Sequence, residues 1–266
     1  MSHEPRIALL IDADNSPADM IDEVLDELAK EGVINIRRAY GNWKSSHLNT
    51  WAGLLHDFAI QPIQQFDYTK GKNATDAAMI IDAMDLLYTK QLDGFGIVSS
   101  DSDFTPLVMR LRANGLKVYG FGEQKTPKPF VNACSKFLYL ENLRRLGEPT
   151  LVAISSAATT DTVPTATANS KDEQKTAPVR ADVKTLRGDT RLVSLLRKAV
   201  EAAADEEGWA SLSAVGSHIS KQASFDSRNY GYAKLSSLFQ VIGLFELRSH
   251  GKGLQVRDPR MMKSGV

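Results

Sequence analysis

Along residues 5–146, short apolar runs alternate with longer segments whose apolar positions recur every three to four residues. The runs RIALLID (6–12), INIRRAY (34–40), IQPIQ (60–64), GFGIVSS (94–100) and KVYGF (117–121) have the length of strands, and the segments between them have the length of helices. IALLI has no polar position at all, as expected of a strand covered on both faces. Ser16 is placed as an N-cap with Pro17 at the first helical position, and Ile21, Val24, Leu25 and Leu28 follow at helical spacing. A second helix is expected from near Asn73, burying Ile80, Ile81, Met84, Leu87 and Tyr88, and a third after the SSDSD turn. This alternation predicts an α/β fold, a parallel sheet with helices on both faces.

The pattern changes between 147 and 187, where Thr, Ala, Ser and Pro dominate without any apolar period, so this stretch reads as a disordered tether. It separates a unit at 5–146 from a second at 188–258. In the second, Leu192, Leu195, Leu196 and Ala199 form one helical stripe, Leu212, Val215 and Ile219 another, and Leu235, Leu238, Phe239 and Ile242 a third. LFELR and LQVR alternate around SHGKG, the pattern of a β wing. The outline is a small α+β winged helix-turn-helix, which serves protein contacts as well as nucleic acids. No internal repeat is visible.

Composition narrows the setting. A chain of 266 residues, 42% hydrophobic and 24% charged, has room for one ordinary α/β domain and a smaller one. It carries no leader pattern and no run of about 18 apolar residues, so a cytoplasmic protein without membrane contact is expected. Its single cysteine, Cys134, excludes an intramolecular disulfide and a thiolate zinc site. Residues 1–147 hold 16 basic and 19 acidic side chains, net −3, and residues 188–266 hold 11 and 8, net +3. The basic tail is compatible with RNA without requiring it.

The acids are more informative. Open parallel sheets bind ligands at the carboxyl ends of their strands. Asp12 ends the first strand in LLIDADN, and Asp101 and Asp103 follow another in GIVSSDSDF. Asp76 opens the intervening helix four residues before Ile80 and therefore shares a face with core residues. All four can converge above one edge. Gathered carboxylates repel unless cations neutralise them, and oxygen-only ligands suit one or two Mg²⁺ or Mn²⁺ ions. Phosphodiester hydrolysis is the chemistry this fits best. Lys72, in DYTKGKNATD, is placed to touch a substrate backbone, and Asn15 and Ser99 to support the acids.

Plainer readings stand beside these. Asp76 can belong to a cap begun by Asn73, Asp14 and Asp19 can complement a helix dipole, and Asp82 and Asp85 fall on the outer face of their helix. His47, His56 and His218 lack ligand spacing, and Trp43 and Trp51 suit a core at least as well as a groove.

LLIDADN, the Lys and Asp of KNATDAAMIIDAMDLL, and IVSSDSDFTPLVMRLRANGLKVYGFG together resemble the NYN domain of LabA-like and limkain-type proteins, a branch of the PIN-like nucleases, over about residues 5–143. The resemblance implies a PIN-like, Rossmannoid sheet. It also implies that Asp12, Asp76, Asp101 and Asp103 are metal-binding acids of a single-strand ribonuclease, with Asn15 and Asp82 beside them. Ser100 departs from the family pattern, where Gly is common, and sets a bulkier side chain next to the site. DEEGWASLSAVGSHI, FDSRNYGYAKLSSLF and LFELR resemble the OST-HTH, or LOTUS, domain over almost all of 189–257. That resemblance implies RNA binding, for which Lys221, Arg228, Tyr230, Lys234, Arg248 and Lys252 are the candidates. Tyr230 would either stack on a base or pack internally.

The expected function is that of a Mg²⁺- or Mn²⁺-dependent ribonuclease acting on single-stranded or structured RNA, its tethered winged helix raising the local RNA concentration. Two rivals remain. One is a non-catalytic RNA-binding adaptor that keeps the acidic site. The other is a phosphohydrolase of the haloacid-dehalogenase type, with Asp12 and Asp14 as nucleophile and acid/base pair. A homo-oligomer is compatible with either.

Overall fold

The computed structural model describes residues 4–66, 74–147, 180–251 and 253–260. Its N-terminal part runs β1 (Arg6–Asp12), α1 (Ile21–Ala29), β2 (Val33–Gly41), α2 (Asn49–Asp57), β3 (Gln61–Gln64), α3 (Ala74–Thr89), β4 (Gly94–Val98), α4 (Thr105–Ala113), β5 (Lys117–Gly122), α5 (Lys128–Ala133), β6 (Lys136–Tyr139) and α6 (Leu140–Gly147). The six strands pair in parallel in the order β3-β2-β1-β4-β5-β6. The chain builds outward from β1 in one direction and from β4 in the other. The reversal point between them is where an open sheet leaves a crevice at its carboxyl edge.

Because side chains alternate along a strand, β1 feeds two cores. Ile7, Leu9 and Ile11 pack with Val24 and Leu28 of α1, Trp51 of α2 and Leu143 of α6. Ala8 and Leu10 pack on the other face with Met79 and Ala83 of α3, Leu107 and Leu111 of α4 and Phe130 of α5. Continuing that second face by two residues brings the chain to Asp12. On β4 the same face carries Phe95 and Ile97 and arrives at Ser99.

Three expectations need correction. Ser16 does not cap α1: its hydroxyl donates to the carbonyl of Val98 at 3.3 Å, while Pro17 precedes a 3-10 turn at Ala18–Met20 that leads into the helix. Helix α3 turns only part of the expected face inward: Ile80, Met84 and Leu87 pack against the core. Ile81 and Tyr88 are exposed, and Asp76, Met79, Ala83 and Leu86 are buried in their place. The run AMIIDAMDLL is apolar on more than one side, so its period does not choose the face. Residues 183–187, expected to lie in the tether, belong with Gly188 to α7 (Val183–Gly188), whose Leu186 is fully buried.

Helix α7 begins the C-terminal part, which continues with α8 (Thr190–Ala203), β7 (Ala210–Ser211), α9 (Leu212–Gln222), α10 (Leu235–Ile242), β8 (Glu246–His250) and β9 (Gly253–Arg257). The strands form an antiparallel sheet in the order β7-β9-β8. Leu186, Leu196, Val215, Ile219, Leu238, Phe239 and Val256 share its core. Among the described residues, no helix is long and apolar enough to cross a membrane.

One packing constraint is tight. A Cβ at Gly120 would stand 2.5 Å from the Phe137 ring and 2.6 Å from the sulfur of Cys134, and both of those side chains are buried. Gly120→Ala is therefore expected to cost about 1–3 kcal/mol by overpacking and to lower Tm by several degrees, read by thermal denaturation.

Candidate active site

Asp12 has no exposed surface. A carboxylate there must be hydrogen-bonded to remain charged. Ser99 donates its hydroxyl to Oδ2 at 2.8 Å, and the Asn15 amide donates to Oδ2 at 3.1 Å and to Oδ1 at 3.3 Å. Burial pushes the Asp12 pKa up, the bonds from Ser99 and Asn15 oppose that shift, and the charge of Asp14 adds to it. The Ser99 hydroxyl also accepts from the backbone N–H of Asp101 at 3.1 Å, so one side chain joins the ends of β1 and β4.

Asp101 caps the turn that follows β4, its Oδ1 accepting from the N–H of Asp103 at 2.8 Å. Asp103 is exposed. Ser100 accepts at its hydroxyl from the N–H of Glu123 at 2.9 Å, which ties the loop after β4 to the one after β5. The departure at Ser100 thus has a local structural use.

Helix α3 runs opposite to the strands, and so its first turn lies over their carboxyl ends. Asp76 sits in that turn, buried. Burial first, then the carboxylates of Asp12, Asp101, Asp103 and Asp14, raise its pKa to about 6. The expected acids therefore share one electrostatic neighbourhood. Among the described residues, however, no three side chains of His, Cys, Asp or Glu stand close enough to form a ready-made metal cage. The donor set is all oxygen and acidic, which fits a hard divalent cation.

Asp14 proves to be more than a dipole partner. Its Oδ2 accepts from Thr75 Oγ1 at 2.9 Å, and its Oδ1 accepts from the N–H of Asn42 at 3.4 Å and lies 3.3 Å from His47 Nε2. His47 Nδ1 is in turn 2.6 Å from the Ser45 hydroxyl. Thr75, Asn42 and His47 thus flank the acids unanticipated, the one available signal being the second acid of DADN just past the strand end. Asp82, expected on a solvated face or beside the metal, does neither. Lower down α3 it pairs with Arg38 at 2.5 Å and accepts from the Tyr40 hydroxyl. Trp51 is core, and Trp43 packs against it and donates its indole N–H to the Ile63 carbonyl. His56 is exposed, His218 is half-buried, and Lys72 lies outside the described residues.

With this geometry in place, sequence comparison gives the family. The NYN domain family matches residues 6–141, just over half of the chain. The chain belongs to the NYN family. An OST-HTH/LOTUS domain matches residues 187–257, in that N-to-C order. NYN domains fall within the PIN-like nuclease superfamily, and the pair of domains marks an RNA-related, nuclease-like protein. An uncharacterised protein of Methanocaldococcus jannaschii is 32% identical over 130 residues, 46% of this chain and 49% of the relative, so the chain spans about half of that protein's length. A protein of unknown function from Vibrio parahaemolyticus, known from a crystal structure, is 19% identical with a TM-score of 0.44, covering 52% of this chain and 94% of that chain. The solution structure of an uncharacterised protein from Nitrosomonas europaea is 29% identical with a TM-score of 0.26, covering 36% of this chain and 91% of that chain.

The RNA-contact candidates of the OST-HTH/LOTUS domain separate in the structure. Lys221 and Lys234 are exposed, at the end of α9 and just before α10. Arg248 stacks over the Trp209 ring, 4.0 Å from its centroid, with Arg257 at 4.5 Å on the same indole. Tyr230 packs against Phe225 and donates its hydroxyl to Asp189 at 3.3 Å, so internal packing is its role. Arg228 is largely buried against acids. Lys252 lies outside the described residues.

The raised Asp76 pKa sets a pH dependence with a definite sign. Its favourable share of stability is present below the ordinary value of 3.8 and is lost as pH rises through about 6, where the charge appears among other carboxylates. Asp76→Asn should therefore raise Tm relative to the parent at pH 8 in a metal-free buffer, and the gap should close below pH 4, as followed by thermal melts across that range.

Proposed function

We propose that this chain is a metal-dependent ribonuclease that hydrolyses single-stranded RNA at the carboxyl edge of its parallel sheet. The observation that carries the reading is Asp76, a buried helix-borne carboxyl whose pKa rises to about 6 under the charges of acids from β1 and from the loop after β4. Such an arrangement is costly without a cation and useful with one. In this reading Asp12, Asp76, Asp101 and Asp103 hold Mg²⁺ or Mn²⁺. Held there, such an ion would supply Lewis-acid chemistry for the scissile phosphate. Ser99 and Asn15 fix the orientation of Asp12, and Asp14, held by Thr75 and Asn42, extends the negative edge towards His47. Lys72, Lys221, Lys234, Arg248 and Lys252 are assigned to RNA contact, and the cytoplasm is the proposed setting.

A second reading, an RNA-binding adaptor without turnover, is favoured by one observation. Asp101 is already employed as a turn cap, and Asp12 already accepts from Ser99 and Asn15. Labelled single-stranded RNA incubated with the protein and Mn²⁺ separates the two. The nuclease reading expects cleavage that chelation abolishes, a loss of about 100-fold or more in Asp101→Asn, and a loss of roughly 10-fold in Ser99→Ala, the size seen for outer partners of metal ligands. RNA binding with no cleavage by the parent, or equal cleavage by parent and Asp101→Asn, would overturn it.

The same ion should act on stability. Millimolar Mn²⁺ is expected to raise the Tm of the parent at pH 8 and to leave Asp12→Asn nearly unmoved, a linkage read by melts with and without the metal.

A further inference from the structure

Strand β6 is the last of the parallel sheet, with β5 on one side. Its other side would present unpaired backbone groups. A side chain from the C-terminal part meets them. Asn229, in the 3-10 turn Ser227–Tyr230 between α9 and α10, donates its amide Nδ2 to the Phe137 carbonyl at 2.9 Å. Its Oδ1 accepts from the N–H of Tyr139 at 3.3 Å. One carboxamide thereby offers the donor and acceptor that a seventh strand would offer.

Its neighbour Arg228 reaches further, to α1. The guanidinium is 2.5 Å from Glu27 Oε1 and is bonded through Nε and Nη2 to both carboxylate oxygens of Asp226, at 2.9 and 2.8 Å. Lys136, the first residue of β6, lies 3.9 Å from Glu27 and from Asp226 and 3.0 Å from Glu31. Lys30 pairs with Glu27 from the same helix. Three cations and three carboxylates therefore gather at the seam, Arg228–Glu27 and Lys136–Asp226 being the pairs that cross it, and Glu27, only 4% exposed, sits at the centre. Burial by itself would raise the Glu27 pKa; Arg228, Lys30 and Lys136 instead hold it at about 2. Removing Arg228 would leave a buried carboxylate short of its main partner, a costly state.

We propose that the OST-HTH/LOTUS domain is a docked body, locked to the β6 edge and α1 of the NYN domain through Arg228 and Asn229, and that this lock withdraws Arg228 from RNA. RNA contact is then left to the exposed Lys221 and Lys234 and to the wing at Arg248. Strand β6 stands three strand spacings from β1, roughly 14 Å at about 4.8 Å each, so the docked domain flanks the acid-bearing strands at a fixed offset. The covalent link between the domains then no longer sets their distance.

Charge reversal in the full-length chain tests the lock, with small-angle scattering for compactness and hydrogen–deuterium exchange for the β6 amides. Arg228→Glu and Glu27→Arg are each expected to enlarge the radius of gyration and to speed exchange at Tyr139 by roughly tenfold. The double variant should restore both. Asn229→Ala, which adds no charge to the seam and serves if a reversal fails to fold, should speed exchange at Tyr139. Unchanged compactness and exchange in the single reversals, a double variant as open as the singles, or an unaltered Tyr139 amide in Asn229→Ala would each overturn the proposal. Neither readout involves RNA cleavage, so the lock and the nuclease reading stand or fall separately.

Discussion

A carboxylate at the end of a central strand, closed off from water, must be compensated wherever its charge is kept. Asp12 is that group, and the surrounding structure answers it at several distances. Ser99 and Asn15 donate to it directly. The Ser99 hydroxyl fixes the loop after β4 by accepting from Asp101 N–H, and this positions Asp101 and Asp103. Helix α3 then brings Asp76 over the same edge, where burial and the charges of Asp12, Asp101, Asp103 and Asp14 raise its pKa to about 6. The strand order, with its reversal between β1 and β4, makes this meeting of elements possible.

The same helix carries a second acid with the opposite fate. Six residues beyond Asp76, Asp82 takes Arg38 and the Tyr40 hydroxyl as partners. Tyr40 is fully buried, and burial together with Asp82 raises its pKa. One acid of α3 is saturated by protein groups and anchors the helix to β2. The other is left with repulsive company at the carboxyl edge. The contrast within one helix separates a paired carboxylate from one with a raised pKa by environment, not by residue type.

Much of this was legible in the sequence. The central strands were plain because IALLI and GFGIV contain only apolar residues or Gly, and Asp12, Asp101 and Asp103 followed from where those runs stop. The inward face of α3 was legible only in part: Ile80, Met84 and Leu87 pack against the core as expected, while Ile81 and Tyr88 belong to the same apolar run and lie outside. β6 was missed since four residues, KFLY, are too short to show a period. Glu27 and Arg228 lie about two hundred positions apart, and no local pattern links an acid on a helix flank to an arginine in a distant turn. Asp14 was hidden by a rule that is usually right, that an acid ahead of a helix complements its dipole.

The edge of the parallel sheet ends on one asparagine. Many sheets close an edge with a proline, a bulge or an inward charge, devices built into the strand itself. Here the stop sits on another part of the chain and can be taken away without changing β6. The strand beneath, Phe137 to Tyr139, is apolar and aromatic, the kind of surface that recruits further strands when bare. Trimming the chain to its first 147 residues would take away the donor and acceptor that Asn229 sets against the Phe137 carbonyl and the Tyr139 N–H, and leave that edge open to a further strand.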